Sequence, residues 1–332
     1  MVQTKSINIL NLCVPCENHC RYCLLSWNGN CLGIDYERSV KYARRFHEWL
    51  KINRPDMNFM YYYGYSMEHP QLLETIKFMQ ETNSPGGEFL QFDGMKKRTR
   101  EELVKMLTDL RNAGIKLLDF TFYGLKEYHD KFAGRIGDYD LMMNSLGIAL
   151  EIGLDVEVGI PVIKENLHQL DELVNIFENK RVRLFLFTPH SGGRGISLLD
   201  VKITVEDYDN LSDRVKKYFN RDKNRTPSEW YNHIHEDFKN RVLTISLLPS
   251  NIDKLENQPF EETIKELEMM DDEFYKVVPS FSELLKKYVD ENDTCLYSLK
   301  DLNVTYRRRF IDENHLDIVD ITDERFSGSI HF

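Results

Sequence analysis

The chain is short of the features that would direct it to a membrane or out of the cell. Its opening residues, MVQTKSINILNL, lack a basic segment followed by an uninterrupted apolar stretch and a small-residue cleavage site, so no signal peptide is expected. No run approaches the roughly 18 apolar residues a membrane-spanning helix requires, and no membrane partner is expected. Positive charge is in deficit: 43 Lys and Arg stand against 54 Asp and Glu, a net charge of -11. An acidic chain repels phosphate backbones, which disfavours nucleic acid as a partner. There is no glycine-rich phosphate loop, no internal repeat and no low-complexity tract. Cysteine is scarce and unevenly placed, since five of the six lie between positions 13 and 31 and Cys295 stands alone. A cytoplasmic location is expected, where thiols stay reduced, and there such crowding signals metal or redox chemistry more often than disulfides.

What is present is a rhythm of short β-branched or aromatic runs, each followed by a longer amphipathic stretch. Strands are expected over Ser6–Leu12, Asn58–Tyr63, Glu88–Phe92, Leu117–Tyr123, Asp155–Val162 and Val182–Thr188. Helices are expected near 36–52, 69–82, 99–113, 138–152 and 165–179, several closed by glycine. Six βα units make a parallel sheet, either doubly wound or curled into part of a barrel, with ligands at the strands' C-terminal ends. From about Ser197 the rhythm breaks. Thr204–Phe219 reads as helical, Arg221–Pro227 as a charged linker, Arg241–Leu248 as a strand, 259–270 and 280–291 as helices, and the residues after 295 as short β-like runs. The division expected is residues 1–196 and a C-terminal α+β unit of residues 197–332.

The cysteines form Cys16-Glu-Asn-His-Cys20-Arg-Tyr-Cys23, in the loop after the first expected strand. A cubane iron-sulfur cluster commonly takes four thiolates, so three leave one iron open to another ligand. Cys13 offers a different arrangement, two CxxC pairs, Cys13–Cys16 and Cys20–Cys23. Four-thiolate zinc sites separate such pairs by roughly 15 to 20 residues, far more than the gap here. A closed four-cysteine cluster is the other rival, and Cys13 could also pack as a small hydrophobe at the strand end.

CxxxCxxC with an aromatic residue, Tyr22, before the last cysteine resembles the signature of the radical S-adenosylmethionine (radical SAM) superfamily. The resemblance runs from about Ile7 to Arg194. It implies a partial (β/α)6 TIM-like barrel and one 4Fe-4S cluster on Cys16, Cys20 and Cys23, its open iron chelated by S-adenosylmethionine. It also implies an electron from flavodoxin or ferredoxin. Gly64-Tyr65-Ser-Met-Glu68 takes the place of the family's GGEP segment, which receives the cofactor's amino group. Tyr123 to Arg135 is similar to the segment that holds ribose and the methionine carboxylate in peptide-modifying and sulfatase-maturing branches, with Arg135 as the carboxylate ligand. Ile160 and Pro189 fall where the fifth and sixth strands touch adenine. The C-terminal region lacks the seven-cysteine SPASM pattern, so a single cluster is expected. Substrates implied are a peptide or protein, or alternatively a sugar, nucleoside or amino acid.

Other features have plainer accounts. Lys96-Lys97-Arg98-Thr-Arg100 could reach the barrel mouth or simply open a helix, and Arg307-Arg308-Arg309 is equally ambiguous. His233 and His235 would point to opposite helix faces. Cys31 and Cys295 are candidate hydrogen-atom donors to a substrate radical, as thiols are in some relatives, or ordinary cysteines.

Overall fold

The computed structural model describes residues 6–11, 16–24, 33–62, 67–84, 86–233 and 242–318. Six strands recur as expected: β1 (Ser6–Leu10), β2 (Asn58–Tyr62), β3 (Phe89–Gln91), β4 (Leu117–Thr121), β5 (Asp155–Pro161) and β6 (Arg183–Phe187). They alternate with α1 (Tyr36–Asn53), α2 (Leu72–Glu81), α3 (Arg100–Asn112), α4 (Lys126–Ala133), α5 (Asp138–Glu151) and α6 (Leu170–Glu178). Local chemistry starts these helices. Asp35 accepts from the Arg38 N–H ahead of α1, and Thr99 with Glu102 forms a capping box on α3. On α1 the buried Ser39, Tyr42, Ala43, Phe46 and Leu50 make one helical stripe facing the sheet.

Two further strands are β7 (Asn224–Arg225) and β9 (Tyr297–Ser298), which pair antiparallel. Between them in sequence lies β8 (Val242–Ser246). β8 does not stay with the C-terminal residues around it. It pairs parallel with β1, Asn8 opposite Thr244, so one sheet runs β8-β1-β2 and the other β3-β4-β5-β6. The expected boundary at 196/197 therefore does not separate the strands of the barrel from the rest of the chain. Side chains of Ile7, Ile9, Phe59, Tyr61, Leu118, Phe120, Val156 and Val158 are buried in the core against the helices. The alternating positions Asn8, Met60, Tyr62, Gln91, Asp119 and Glu157 are only half-buried, as expected of strands whose other face lines the interior of a partial TIM-like barrel.

Beyond β6 the chain forms α7 (Val205–Asp209), α8 (Asp213–Lys216), α9 (Pro227–His233), α10 (Ile252–Asn257), α11 (Phe260–Val277), α12 (Phe281–Tyr288) and α13 (Leu299–Glu313). Of the short β-like runs expected after residue 295, Tyr297–Ser298 forms β9, and α13 corrects the reading from Leu299 on. Val304, Thr305, Tyr306 and Phe310 favour strands, but Ser298 caps the helix through the Asp301 N–H. Leu302, Val304, Tyr306 and Ile311 then pack into a second core with α12, and tertiary burial overrides propensity. No described helix is long and apolar enough to cross a membrane.

Candidate active site: the cysteine loop at the barrel mouth

Residues 16–24 follow β1 at the C-terminal end of the parallel strands, and their backbone is tied to three other segments. Glu17 N–H donates to Gly94 O (2.9 Å), His19 N–H to Ala133 O (2.8 Å) and Arg21 N–H to Phe132 O (3.0 Å), while Cys23 O accepts from Arg194 N–H (3.0 Å). The segments after β3, within α4 and after β6 therefore hold the cysteine loop on three sides. Two of these contacts need glycine. At Gly94, φ is +62° and an added Cβ would lie 2.2 Å from Cys16 Sγ; at Gly193, φ is +52° and a Cβ would lie 2.2 Å from Leu24 O.

Asn18, inside the cysteine motif, is buried and donates to Asp138 Oδ2 (3.0 Å). The same oxygen faces His129 Nε2 at 3.1 Å. Since His129 Nδ1 accepts from the Tyr123 N–H (3.2 Å), the ring proton belongs on Nε2 and points at Asp138. Arg135 closes this group: its Nη1 reaches Met95 O, Asn18 Oδ1 and Asp138 Oδ1. The guanidinium expected to bind a cofactor carboxylate is thus engaged in bracing the loop.

An aromatic wall stands behind the cysteines. Tyr22 packs edge-on to Tyr123 (centroids 5.5 Å apart) and lies 5.3 Å from the His190 ring, and Tyr123 stacks on Phe132 at 4.6 Å. Tyr123 Oη donates to Cys20 Sγ at 3.4 Å. Arg21, between Cys20 and Tyr22, turns away to Glu165 (2.5 Å), which also accepts from Tyr128 Oη (2.8 Å).

Cys16, Cys20 and Cys23 are partly exposed. Burial, with Asp93 adding its charge, pushes the Cys16 thiol up to about 12, and burial raises Cys20 well above the usual range. Such thiols ionise readily only when a cation joins them, which suits an iron-bearing group. Among the described residues no three His, Cys, Asp or Glu side chains converge on a point that one metal ion could occupy. A cubane takes its thiolates at separate corners, so three cysteines in one loop are a donor set that could serve it.

The other expected residues fall variously. Glu68 is held by Arg98 through two bonds (2.5 and 2.9 Å) and by the Lys96 N–H. Arg100 pairs with Glu151, so these two cations of the 96–100 stretch serve local ion pairs. Ile160 is fully buried in the main core. Pro189 accepts from Lys202 Nζ through its carbonyl, and its neighbour His190 meets Tyr22. Cys295 packs against the C-terminal core, apart from the Tyr22–Tyr123 cluster, and burial raises its thiol. Arg307 is buried on Phe274 and Tyr275, while Arg309 pairs with Glu313. Cys13, Cys31, Gly64, Tyr65 and His235 lie outside the described residues.

Sequence reasoning missed Asp93. Burial first, then the charges of Asp138 and Asp119, pushes its carboxyl up to about 7, and its charge acts on Cys16, Cys20, Tyr22 and Tyr123. It has no hydrogen-bond partner among the described residues. Its position, with Gly94, just past a parallel strand was a readable signal of the ligand-binding end.

No protein-family model matches the chain. A curated protein, Fe-coproporphyrin III synthase of Methanosarcina barkeri, is 22% identical over 104 residues, 31% of this chain and 26% of that protein, so the match spans about a quarter of that relative. Among solved structures, methylornithine synthase superposes with a TM-score of 0.36 at 17% identity, over 56% of this chain and 54% of that one. Coproporphyrinogen III oxidase from Escherichia coli, described as a radical SAM enzyme, superposes with a TM-score of 0.45 at 10% identity, over 95% and 91% of the two chains. The CxxxCxYC loop, its seat at the mouth of a parallel partial barrel and the aromatic wall behind it are the features on which the chain's resemblance to the radical SAM superfamily rests.

Proposed function

We propose that Cys16, Cys20 and Cys23 hold one 4Fe-4S cluster, and that the enzyme uses it to cleave S-adenosylmethionine and take a hydrogen atom from a peptide or protein substrate. The observation that carries this reading is the fastening of the loop that bears all three cysteines by backbone bonds to Gly94, Phe132, Ala133 and Arg194. With the cluster bound, the chemistry supplied is one-electron reduction of the cofactor's sulfonium, giving methionine and a 5'-deoxyadenosyl radical.

The chain's own residues orient and protect. Gly94 leaves room for the Cys16 thiol, and Tyr123 Oη donates to the Cys20 sulfur, a bond that tunes a bound cluster. Tyr22, Tyr123 and Phe132 supply an aromatic wall that limits water around a reactive radical. Asp93 is an acid without a partner among the described residues beside that wall, able to accept from hydroxyl or N–H groups. The electron is proposed to come from a reduced flavodoxin or ferredoxin.

A peptide substrate is favoured by the likeness of Tyr123–Arg135 to the peptide-modifying branch. A small-molecule substrate is the second reading. It is favoured by the cysteine inventory, because Cys13, Cys31 and Cys295 are too few for an auxiliary four-thiolate cluster. The decisive test is anaerobic reconstitution with iron and sulfide, then S-adenosylmethionine and dithionite, with 5'-deoxyadenosine quantified. Absence of cleavage by fully loaded protein, with cleavage by a known enzyme run in parallel, would overturn the proposal.

A further inference from the structure

We propose that Asp301, on α13 near the C-terminal end of the described chain, is a positioning residue for Cys23 and Tyr22, acting through Ser191. The proposal rests on the reading of Cys23 as a cluster ligand, but its observations lie elsewhere in the fold. Lys202 and Asp301 form an ion pair of 2.7 Å whose side chains are each 1% exposed. Lys202 Nζ also donates to Pro189 O (2.9 Å). Asp301 Oδ1 accepts both the Ser191 N–H (2.6 Å) and its hydroxyl (2.9 Å), and Arg308 Nη1 donates to Ser191 O at 3.1 Å. The backbone N–H, carbonyl and hydroxyl of Ser191 are therefore all engaged by α13.

A buried ion pair is weak evidence for stability as such, since apolar residues of similar volume often hold two elements together equally well. What an apolar pair cannot do is receive the N–H and hydroxyl of Ser191. The specific consequence of the Lys202–Asp301 pair is thus the placement of residue 191 and of the strap Pro189–Gly195 around it. That strap is what touches the end of the cysteine loop. The His190 ring meets Tyr22, Arg194 N–H bonds Cys23 O, and Gly193 lies so close that a Cβ there would be 2.5 Å from Cys23 O. Cys16 has a separate attachment through Gly94. Loosening the strap should therefore free one end of the loop and leave the other in place.

The test uses the full-length apo chain alkylated by iodoacetamide under native conditions, with each cysteine followed by peptide mass spectrometry. Two variants are compared with wild type: Lys202→Met with Asp301→Leu, which replaces the pair by apolar side chains, and Ser191→Ala, which keeps the pair and removes the hydroxyl. In the double variant Cys23 should react about tenfold faster, equivalent to ~1.4 kcal/mol in the opening of the strap, and in Ser191→Ala several-fold faster. The Cys16 rate should stay within about twofold of wild type in both. After reconstitution, the double variant should also release iron to a chelator about tenfold faster and show altered g-values for the reduced cluster.

An unchanged Cys23 rate in both variants would overturn the proposal. So would equal acceleration of Cys16 and Cys23, which would mean that the pair only holds the fold. Failure of the wild type to take up iron would refute the cluster reading instead, because the alkylation pattern needs no cluster.

Discussion

Replacing Gly94 by alanine isolates the contact on which the Cys16 thiol depends. The substitution carries two penalties that can be separated. The first is conformational: at φ +62° an L side chain costs about 1–2 kcal/mol. The second is steric, since the new Cβ would stand 2.2 Å from Cys16 Sγ, and contact at about 3.5 Å is reached only if the sulfur moves by more than about 1 Å. The same Cβ would lie 3.4 Å from Cys16 Cβ and 3.7 Å from its Cα, so the backbone can stay and the thiol must rotate away. Functional side chains need placement within about 0.5 Å, and a displacement twice that size should remove one of the three proposed cluster ligands. Gly153→Ala is the control. It has φ +83° but nothing within 4 Å of the added Cβ, so it carries the strain without the clash. Both variants should lose a few degrees in Tm, while only Gly94→Ala should lose most of its iron and sulfide after anaerobic reconstitution. Wild-type iron content in a folded Gly94→Ala protein would refute the placement of Cys16 as a ligand.

Three further outcomes are expected. Cys16→Ala, Cys20→Ala and Cys23→Ala should each abolish the visible absorbance of the reconstituted cluster, and Cys13→Ala should leave it; loss in Cys13→Ala would indicate four-thiolate ligation. Asp119 stands opposite Glu157 in the β4–β5 register, and burial first, then the Glu157 charge, raises its carboxyl from 3.8 to about 7. Between those pH values the unfolded chain has released a proton that the native state keeps, so stability falls as pH rises through this window. Asp119→Asn should therefore resist urea better than wild type at pH 8, by at most about 4 kcal/mol, with the gain shrinking to about 1 kcal/mol at pH 4.5. A gain independent of pH would contradict the burial argument. Glu68→Gln should lower the Tm of the apo protein by a few degrees, because a side chain only 7% exposed loses its two charged bonds to Arg98. No change without cofactor would mean that Glu68 is not structural there.

The sequence by itself determined what is local. Alternation and helical periodicity marked six strands and most of the helices between them, because side-chain pattern and caps act within a few residues. The sequence also puts Cys16, Cys20 and Cys23 together in the loop after a strand, the arrangement that the resemblance to the radical SAM superfamily reads as a ligand set. Tertiary structure decided what is long-range. Val242–Ser246 reads as a strand, but nothing in its five residues says that it joins β1 across more than 200 positions; strand pairing is settled by which buried faces can meet. α13 formed against its propensities because a second core was available to bury one of its faces. Arg135 turned to Asn18 and Asp138 rather than outward, Asp93 came to lie beside the cysteines, and Lys202 met Asp301 behind Ser191. Each of these is a polar group that had to find a partner, or be left without one, at a place only the packed chain defines, because the cost of burying a charge depends on what surrounds it.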